Sequence, residues 1–276
     1  MNLFKNISIN KKLVVSFLTL ALVPLIIIGL YSINTLSSSL KGSILINERS
    51  RVETKATVVS GFLRGIEADL FVLSNSAGLK NLLEGIAIDD LDEIQFWQDQ
   101  VSSFFKSFAE SKKIYMQVRF INSEGNELVR ADFNGKTVNI ISAEKLQNKS
   151  GASYFKNSMK INTGKVFISP LNLNKERGKI EVPHKPVIRY ATPVSDQSGK
   201  KQGIVILNVL AVNFLSEFKK VESGNMYLVN SDGYYLANLD QNKEFGFMFK
   251  KPELSLTADY SAFGREIIAS KKKRSY

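Results

Sequence analysis

The sequence predicts an α+β chain: an N-terminal transmembrane helix, a long helix leaving the membrane, then two antiparallel sheets in tandem, the second incomplete. Three observations predict it. No charged residue occurs between Lys12 and Lys41. Apolar residues then recur at helical spacing, among charges, as far as about Ala77. Finally, one hairpin is written twice. Phe120-Ile121-Asn122-Ser123-Glu124-Gly125-Asn126-Glu127-Leu128-Val129 returns as Leu228-Val229-Asn230-Ser231-Asp232-Gly233-Tyr234-Tyr235-Leu236-Ala237, with the Asn-Ser-acid-Gly turn and the following leucine in register. Each copy is an apolar strand, a turn whose glycine can take positive φ, and a second strand. Two such openings imply two related modules, and far less chain follows the second than the first.

The segment from Leu13 to Ile33 is almost wholly apolar. At about 1.5 Å per residue it reaches across a hydrocarbon core of about 30 Å. Lys5, Lys11 and Lys12 precede it with no acid among them. The positive-inside rule therefore leaves the N-terminus in the cytoplasm and sends everything after Tyr31 outside. A cleaved signal peptide is the competing reading, but the run exceeds the usual length of about 7–15 residues and no A-x-A-like site follows it. Pro24 is tolerable in a membrane helix, where neighbouring groups resatisfy a freed carbonyl. The next most apolar stretch, Gly203 to Leu215, is too short to cross, contains Asn208 and Asn213, and has the Ile and Val content of a buried strand. The chain reads as single-pass in the inner (plasma) membrane, its bulk periplasmic or extracellular.

From Thr35 to about Ala77 the residues Leu40, Ile44, Val52, Val59, Phe62, Leu63, Ile66, Leu70 and Leu73 mark one apolar face of a long helix. Gly61 and Gly65 weaken it locally. A second helical region runs from about Leu79 to Glu110, broken near Ile88 to Leu91, where Asp89 and Asp90 suit a cap. Its stripe of Phe96, Trp97, Val101, Phe104, Phe105 and Phe108 reads as helix-to-sheet core. Strands follow over Tyr115–Ile121, Glu127–Asp132, Lys165–Ser169, Val187–Pro193 and Gly203–Val212, making one five-stranded sheet. A short helix falls within Leu146–Met159, and Asn172 to Lys185 is a polar loop, the kind of segment over a sheet where binding sites tend to sit. Val212–Val221 reads as the helix joining the modules. The tail from Lys250 to Tyr276 is expected to pack poorly.

Composition closes several function classes. The chain has no cysteine and one histidine, His184, which lies between Pro183 and Pro186. Disulfides, thiolate catalysis and cysteine or histidine metal centres are thereby excluded, and His184 reads as a surface residue. The acids Asp89, Asp90, Asp92 and Glu93 read as helix-start charge, because calcium-loop spacing is missing. No G-x-S-x-G, Walker loop or dinucleotide fingerprint is present. Catalytic residues, metal and cofactor are all expected to be none. The formal charge of +11 invites a nucleic-acid reading. However, three positives precede the span and four sit in Lys271-Lys272-Lys273-Arg274, which account for most of it, and no basic-aromatic stripe exists. No nucleic-acid partner is expected.

The run Val187-Ile188-Arg189-Tyr190-Ala191-Thr192-Pro193-Val194-Ser195-Asp196, followed by a polar turn and Gly203-Ile204-Val205-Ile206-Leu207-Asn208, resembles the last strands of extracytoplasmic Cache domains. Leu146-Gln147-Asn148-Lys149-Ser150 with Tyr154-Phe155, then Ile168-Ser169-Pro170-Leu171-Asn172-Leu173-Asn174 and Ile180-Glu181-Val182-Pro183, is similar to sensors attached to histidine kinases and diguanylate cyclases. With the preceding span and long helix, the chain resembles the double Cache (dCache, PAS-like) sensor region of a bacterial transmembrane receptor. The resemblance implies a cytoplasmic N-terminus over 1–12, the span over 13–34, the helical region of the sensor over 35–110, a membrane-distal Cache module over 111–212, a partial membrane-proximal module over 213–250, and a tail over 251–276. It implies a sensor of a small molecule that works as a dimer, for which the long helix is the natural seam; the strand arginines point to an anionic ligand, and the missing catalytic motifs to a protein without enzymatic activity. Receptors of this kind return through a second span to a kinase, cyclase or methyl-accepting region, so the chain is expected to be truncated before its output. The alternative is a stand-alone binding protein that modulates an intact receptor through mixed dimers.

In such sensors the membrane-distal module binds its ligand between the sheet and the loops over it. Arg119 and Arg130 sit on paired strands and Arg189 on a third that is otherwise apolar. A guanidinium on an inward-facing strand position needs an anionic partner. A ligand carboxylate or phosphate supplies one bidentately; Asp132 or Glu181 supplies one with no ligand at all. Tyr154 and Phe155 are candidates for the pocket wall, with hydrophobic core the rival role for Phe155. Ser169, at a strand end before Pro170, is a candidate hydroxyl donor, with plain turn chemistry its rival. The Arg followed by Trp or Phe of amino-acid-binding Cache domains is not evident here.

Overall fold

The computed structural model describes residues 8–220 and 224–272. It comprises two compact units, Met1–Val58 and Val59–Tyr276. In the first unit the described chain belongs to helix α1 (Ile9–Ser74), which runs through Pro24 without ending. None of its most apolar stretch is buried, and the helix is long and apolar enough to cross a membrane. Lys5 lies outside the described residues. Leu40, Ile44 and Val52 are all exposed.

In the second unit Ile66, Leu70 and Leu73 of α1 are buried, and Val59, Phe62 and Leu63 pack on the same core. The face expected to seam a dimer is therefore, from Val59 onward, spent on the unit's own interior. Helices α2 (Ala77–Ile88) and α3 (Leu91–Lys112) meet at the expected break. Asp89 closes α2 in the left-handed region at φ 58°, and the Asp90 carboxylate accepts from the backbone N–H groups of Asp92 and Glu93, both at 3.1 Å. Of the aromatic stripe, Val101 and Phe105 are buried and Trp97 and Phe108 pack against them. Phe96 is exposed because at 100° per residue it falls off the face that the others share, whereas Phe104 lies at the edge of that face, part-exposed but in ring contact with Phe105 and Phe108.

The sheet comprises β1 (Tyr115–Asn122), β2 (Glu127–Phe133), β3 (Val138–Ile140), β4 (Phe167–Ile168), β5 (Asn172–Leu173), β8 (Pro186–Ser195) and β9 (Lys201–Leu210). Helix α4 (Ser153–Lys160) precedes β4, and a separate hairpin of β6 (Lys175–Glu176) and β7 (Lys179–Ile180) stands between β5 and β8. The antiparallel order is β3-β2-β1-β9-β8-β4, with β5 also on β8. The five expected strands are present, the third reduced to two residues, and the loop from Asn172 to Lys185 holds the short strands β5, β6 and β7 that its polarity hid. Alternation sorts the two faces. Val118, Phe120, Val129, Ala131, Val205, Leu207 and Tyr190 join the helices in the main core. On the other face Ile121, Ala191, Ile204 and Ile206 form a small apolar cluster with Phe155 of α4. Gln117, Arg119, Arg130, Asp132, Arg189 and Asn208 follow on that same face, by register.

Helix α5 (Val212–Lys219) leads to the second module; Val221, expected to end it, lies outside the described residues. Strands β10 (Leu228–Val229) and β11 (Tyr235–Ala237) form the repeated hairpin. The duplication holds bond by bond. Asn122 Oδ1 accepts from Glu124 N at 3.1 Å and Asn126 N at 2.8 Å, and Asn230 Oδ1 accepts from Asp232 N at 3.0 Å and Tyr234 N at 2.9 Å. Gly125 and Gly233 stand at φ 88° and 86°.

Beyond Phe249 the chain is better ordered than its polarity suggests. Helix α6 (Leu256–Asp259) ties back to the hairpin through Leu256 N to Gly233 O at 2.9 Å and Tyr235 Oη to Asp259 Oδ2 at 2.8 Å, and helix α7 (Ser261–Lys272) follows it, with Ile268 beside Gly233. Lys273 and Arg274 lie outside the described residues.

Candidate ligand-binding site

The polar end of the second sheet face gathers three arginines around one tyrosine. Cross-strand register sets Arg119 opposite Arg130, an unfavourable like-charge pair unless acids intervene. Glu127, the first residue of β2, intervenes: its fully buried carboxylate accepts from Arg119 Nη1 at 3.0 Å and Arg130 Nη1 at 3.5 Å, and from Gln147 N at 3.1 Å. Asp132 holds Arg130 bidentately, Nε at 2.8 Å and Nη2 at 2.6 Å. Glu176, on β6, adds a third carboxylate at 3.2 Å and accepts from Gln117 Nε2 at 3.0 Å. Asn208 sits opposite both Gln117 and Arg189 in the register and accepts from Arg119 Nη2 at 2.8 Å.

Arg189 is treated differently. Its Nη2 donates to Asn174 Oδ1 at 3.0 Å, and no carboxylate lies within ion-pair distance among the described residues. Tyr154 of α4 lies near both cations, its ring centre 5.6 Å from the Arg119 guanidinium carbon and 5.5 Å from that of Arg189. Arg119 Nε and Arg189 Nε are both buried, with no acceptor among the described residues. Buried donors are nearly always satisfied, so two orphans beside one tyrosine need an explanation.

Electrostatics separate the arginines further. Burial works against the charge on Arg119, but Tyr154 and Glu127 outweigh it and hold the pKa above the usual value. Arg130 follows the same logic: burial lowers, and the hydrogen-bonded Asp132 with Glu127 and Glu176 more than restores. Burial also disfavours the Glu176 carboxylate, yet Arg130 and Gln117 keep its pKa below the ordinary range. For Arg189 the balance reverses, because the attractions of Tyr154 and Glu176 do not make up the loss. Burial, with the like charge of Arg119 beside it, pushes its pKa down to about 10.

The structure thus brings together Arg119, Tyr154 and Arg189, with Arg130 adjoining through Glu127. Asp132 takes the structural role foreseen for it, whereas Glu181 instead pairs Lys185 and accepts from Asn174 Nδ2 at 3.0 Å. Phe155 stands apart, buried in the apolar cluster beside the site. The Ser169 hydroxyl is engaged with backbone, accepting from Arg189 N at 2.9 Å and donating to Pro170 O at 2.9 Å, so it fixes the strand that carries Arg189. Sequence reasoning missed Glu127, Asn174, Glu176 and Asn208. A count of arginines on one sheet face signals that acids must answer them, but it does not say which.

A sequence model of the bacterial histidine kinase sensor domain matches residues 90–260. No curated protein sequence matches significantly. Among solved structures, the domain of a putative sensory box/GGDEF family protein from Vibrio parahaemolyticus is similar at TM-score 0.70 and 20% identity, over 79% of this chain and 80% of that one. The extracellular domain of a putative histidine kinase gives 0.68 and 20%, over 79% and 76%. The sensory domain of a Campylobacter jejuni chemoreceptor, solved with isoleucine bound, gives 0.55 and 15%, over 74% of each chain. At these identities the likeness is one of fold, and it bears out the resemblance to receptor sensor regions.

Proposed function

The chain belongs to the bacterial histidine kinase sensor-domain family, and from that premise we propose that it is a membrane-anchored extracytoplasmic sensor whose Arg189, Arg119 and Tyr154 take the acid group of a small molecule. One observation carries this: two buried Nε–H donors without acceptors, on neighbouring guanidiniums, one of which has no carboxylate partner. A ligand carboxylate or phosphate answers both donors and the uncompensated charge at once. Arg130, saturated by three acids, is the scaffold that fixes Glu127 and hence Arg119. The protein acts by binding, without catalysis.

In this reading residues 13–34 span the inner membrane, and the chain pairs as a homodimer, or as a mixed dimer with an intact receptor, through the exposed Leu40, Ile44 and Val52. Because the chain has no cysteine, Ile44→Cys in native membranes tests the pairing directly: a disulfide-linked dimer is expected, and monomer alone contradicts it.

The site is tested by melting the full chain in lipid nanodiscs against organic acids, amino acids, nucleobases and phosphates. A ligand at 100 times its dissociation constant stabilises by about 2.7 kcal/mol, which is about 5–10 °C for a domain of this size. The expected result is a shift with an acid that disappears in Arg189→Met. A cooperative melt that no compound moves contradicts the reading.

A further inference from the structure

We infer that the strap from Asn172 to Lys185 is the element that reports occupancy of the arginine site to the second module. The inference rests on the proposed site and concerns its regulation. The strap touches the site at two points: Asn174 accepts from Arg189, and Glu176 accepts from Arg130 and Gln117. It also touches the second module at two points. Leu173 N lies 3.0 Å from Met248 Sδ, and the His184 ring centre is 5.3 Å from that of Phe249.

The two sets of contacts are joined by the shortest covalent path available. Leu173 and Asn174 are consecutive, so their Cα atoms are about 3.8 Å apart, and extended chain sends their side chains to opposite sides. Both are buried, at 2% and 1% exposure. Leu173 enters the core shared with Phe245, Phe247 and Met248, while Asn174 faces the arginine. An acid group that grips Arg189 side-on through its free Nε takes Nη2 as well, the nitrogen that donates to Asn174 Oδ1. Asn174 is buried and held on its other sides by Lys185 and Glu181, so a push on it is passed along the chain to Leu173. Close-packed cores answer such displacement by shifting to a second arrangement rather than by deforming smoothly. Room for the shift exists: a cavity of about 280 Å³ is bounded by Leu173, His184 and Pro186 on one side and by Gln241, Glu244 and Phe245 on the other.

The amides that would register the change are those of the turn over Phe245–Lys251, where Phe245 N donates to Tyr235 O at 2.8 Å, Met248 N to Phe245 O at 2.9 Å and Lys251 N to Gly246 O at 3.0 Å. The test is hydrogen–deuterium exchange on the full chain in nanodiscs, with no ligand added. Asn174→Ala is expected to speed exchange of residues 245–251 at least tenfold, and Met248→Ala to do the same for residues 172–176. Gln98→Ala, which removes the remote bond to Leu128 O at 2.6 Å, controls for general loosening and is expected to leave both segments within twofold of wild type. Should Asn174→Ala prevent folding, Asn174→Ser gives the milder form of the same release. Faster exchange confined to the strap, with residues 245–251 unchanged, overturns the inference, as does an equal response in the Gln98 control. Because no ligand enters, this failure is distinct from failure of the binding-site reading, which the melting screen decides.

Discussion

Replacing Arg119 and Arg189 by methionine separates a cation whose charge the fold itself answers from one whose charge it leaves open. The two side chains share a sheet face, a tyrosine neighbour and an orphaned Nε, but their partners differ. Arg119→Met strips a carboxylate whose side chain is 0% exposed of its 3.0 Å partner. Breaking a buried pair from one side costs about 3–5 kcal/mol, and the surviving Arg130 contact at 3.5 Å argues for the lower end of that range. Arg189→Met removes a charge that its surroundings disfavour. A guanidinium held near 10 instead of 12.5 is penalised by roughly 3 kcal/mol at about 1.4 kcal/mol per unit. Because this is a base with a lowered pKa, the penalty is present in full at every pH below about 10, including neutrality. Against its relief stands the Asn174 carbonyl oxygen, left without its donor at a cost of about 1–3 kcal/mol. The net change is close to zero. The variants should therefore differ by about 3 kcal/mol, or about 6–12 °C in melting midpoint at 2–4 °C per kcal/mol. Thermal melts of the full chain in nanodiscs without ligand measure this. If Arg189→Met loses as much stability as Arg119→Met, Arg189 is a structural ion and the argument for an acid-binding site falls.

Two further outcomes follow from the structure. The duplicated turn glycines should respond unequally to alanine: both stand at positive φ, which costs about 1–2 kcal/mol, but a Cβ at Gly125 would lie 2.5 Å from Ser150 backbone nitrogen, whereas at Gly233 the nearest atom is the movable tip of Ile268. Gly125→Ala should lower the melting midpoint several degrees more than Gly233→Ala, and equal losses would contradict the packing argument. Tyr115 donates to Asp69, and burial together with that carboxylate holds its pKa well above the usual tyrosine value. An acid with a raised folded-state pKa contributes stability present below pH 10 and lost above it, by about 1.4 kcal/mol per pH unit. Urea titrations of Tyr115→Phe above pH 10 should show that much less alkaline slope than wild type; an unchanged slope would mean that Tyr115 does not titrate with unfolding.

Much of this architecture is legible locally. A repeated Asn-Ser-acid-Gly turn carries its own hydrogen bonds, and Asp89-Asp90 both ends one helix and starts the next, so short-range chemistry suffices. The strap was not legible, because strands of two residues such as Lys175–Glu176 and Lys179–Ile180 are too short for alternation to register. Helix α6 was hidden for another reason: its ties to Gly233 and Tyr235 lie across the fold, and nothing in Lys250 to Lys272 announces them. The site divides in the same way. Arg119, Arg130 and Arg189 stand out as charges in apolar strands, and Asp132 lies two residues from the arginine it holds. Asn208 joins Arg119 only because β9 lies between β1 and β8, and Asn174 reaches Arg189 only because β5 folds back on β8. Strand order, which periodicity does not encode, decides those partners.

The central claim is that Arg189 is the counter-charge of the sensed molecule. Isothermal titration of the strongest-binding acid from the melting screen, into wild type and Arg189→Met in nanodiscs, tests it most directly. Removing one partner of a buried, hydrogen-bonded charge pair costs about 2–5 kcal/mol, so the dissociation constant should rise by at least about 30-fold in a variant that still melts cooperatively. An affinity within threefold of wild type would show that the acid binds elsewhere and that Arg189 plays no part in recognition.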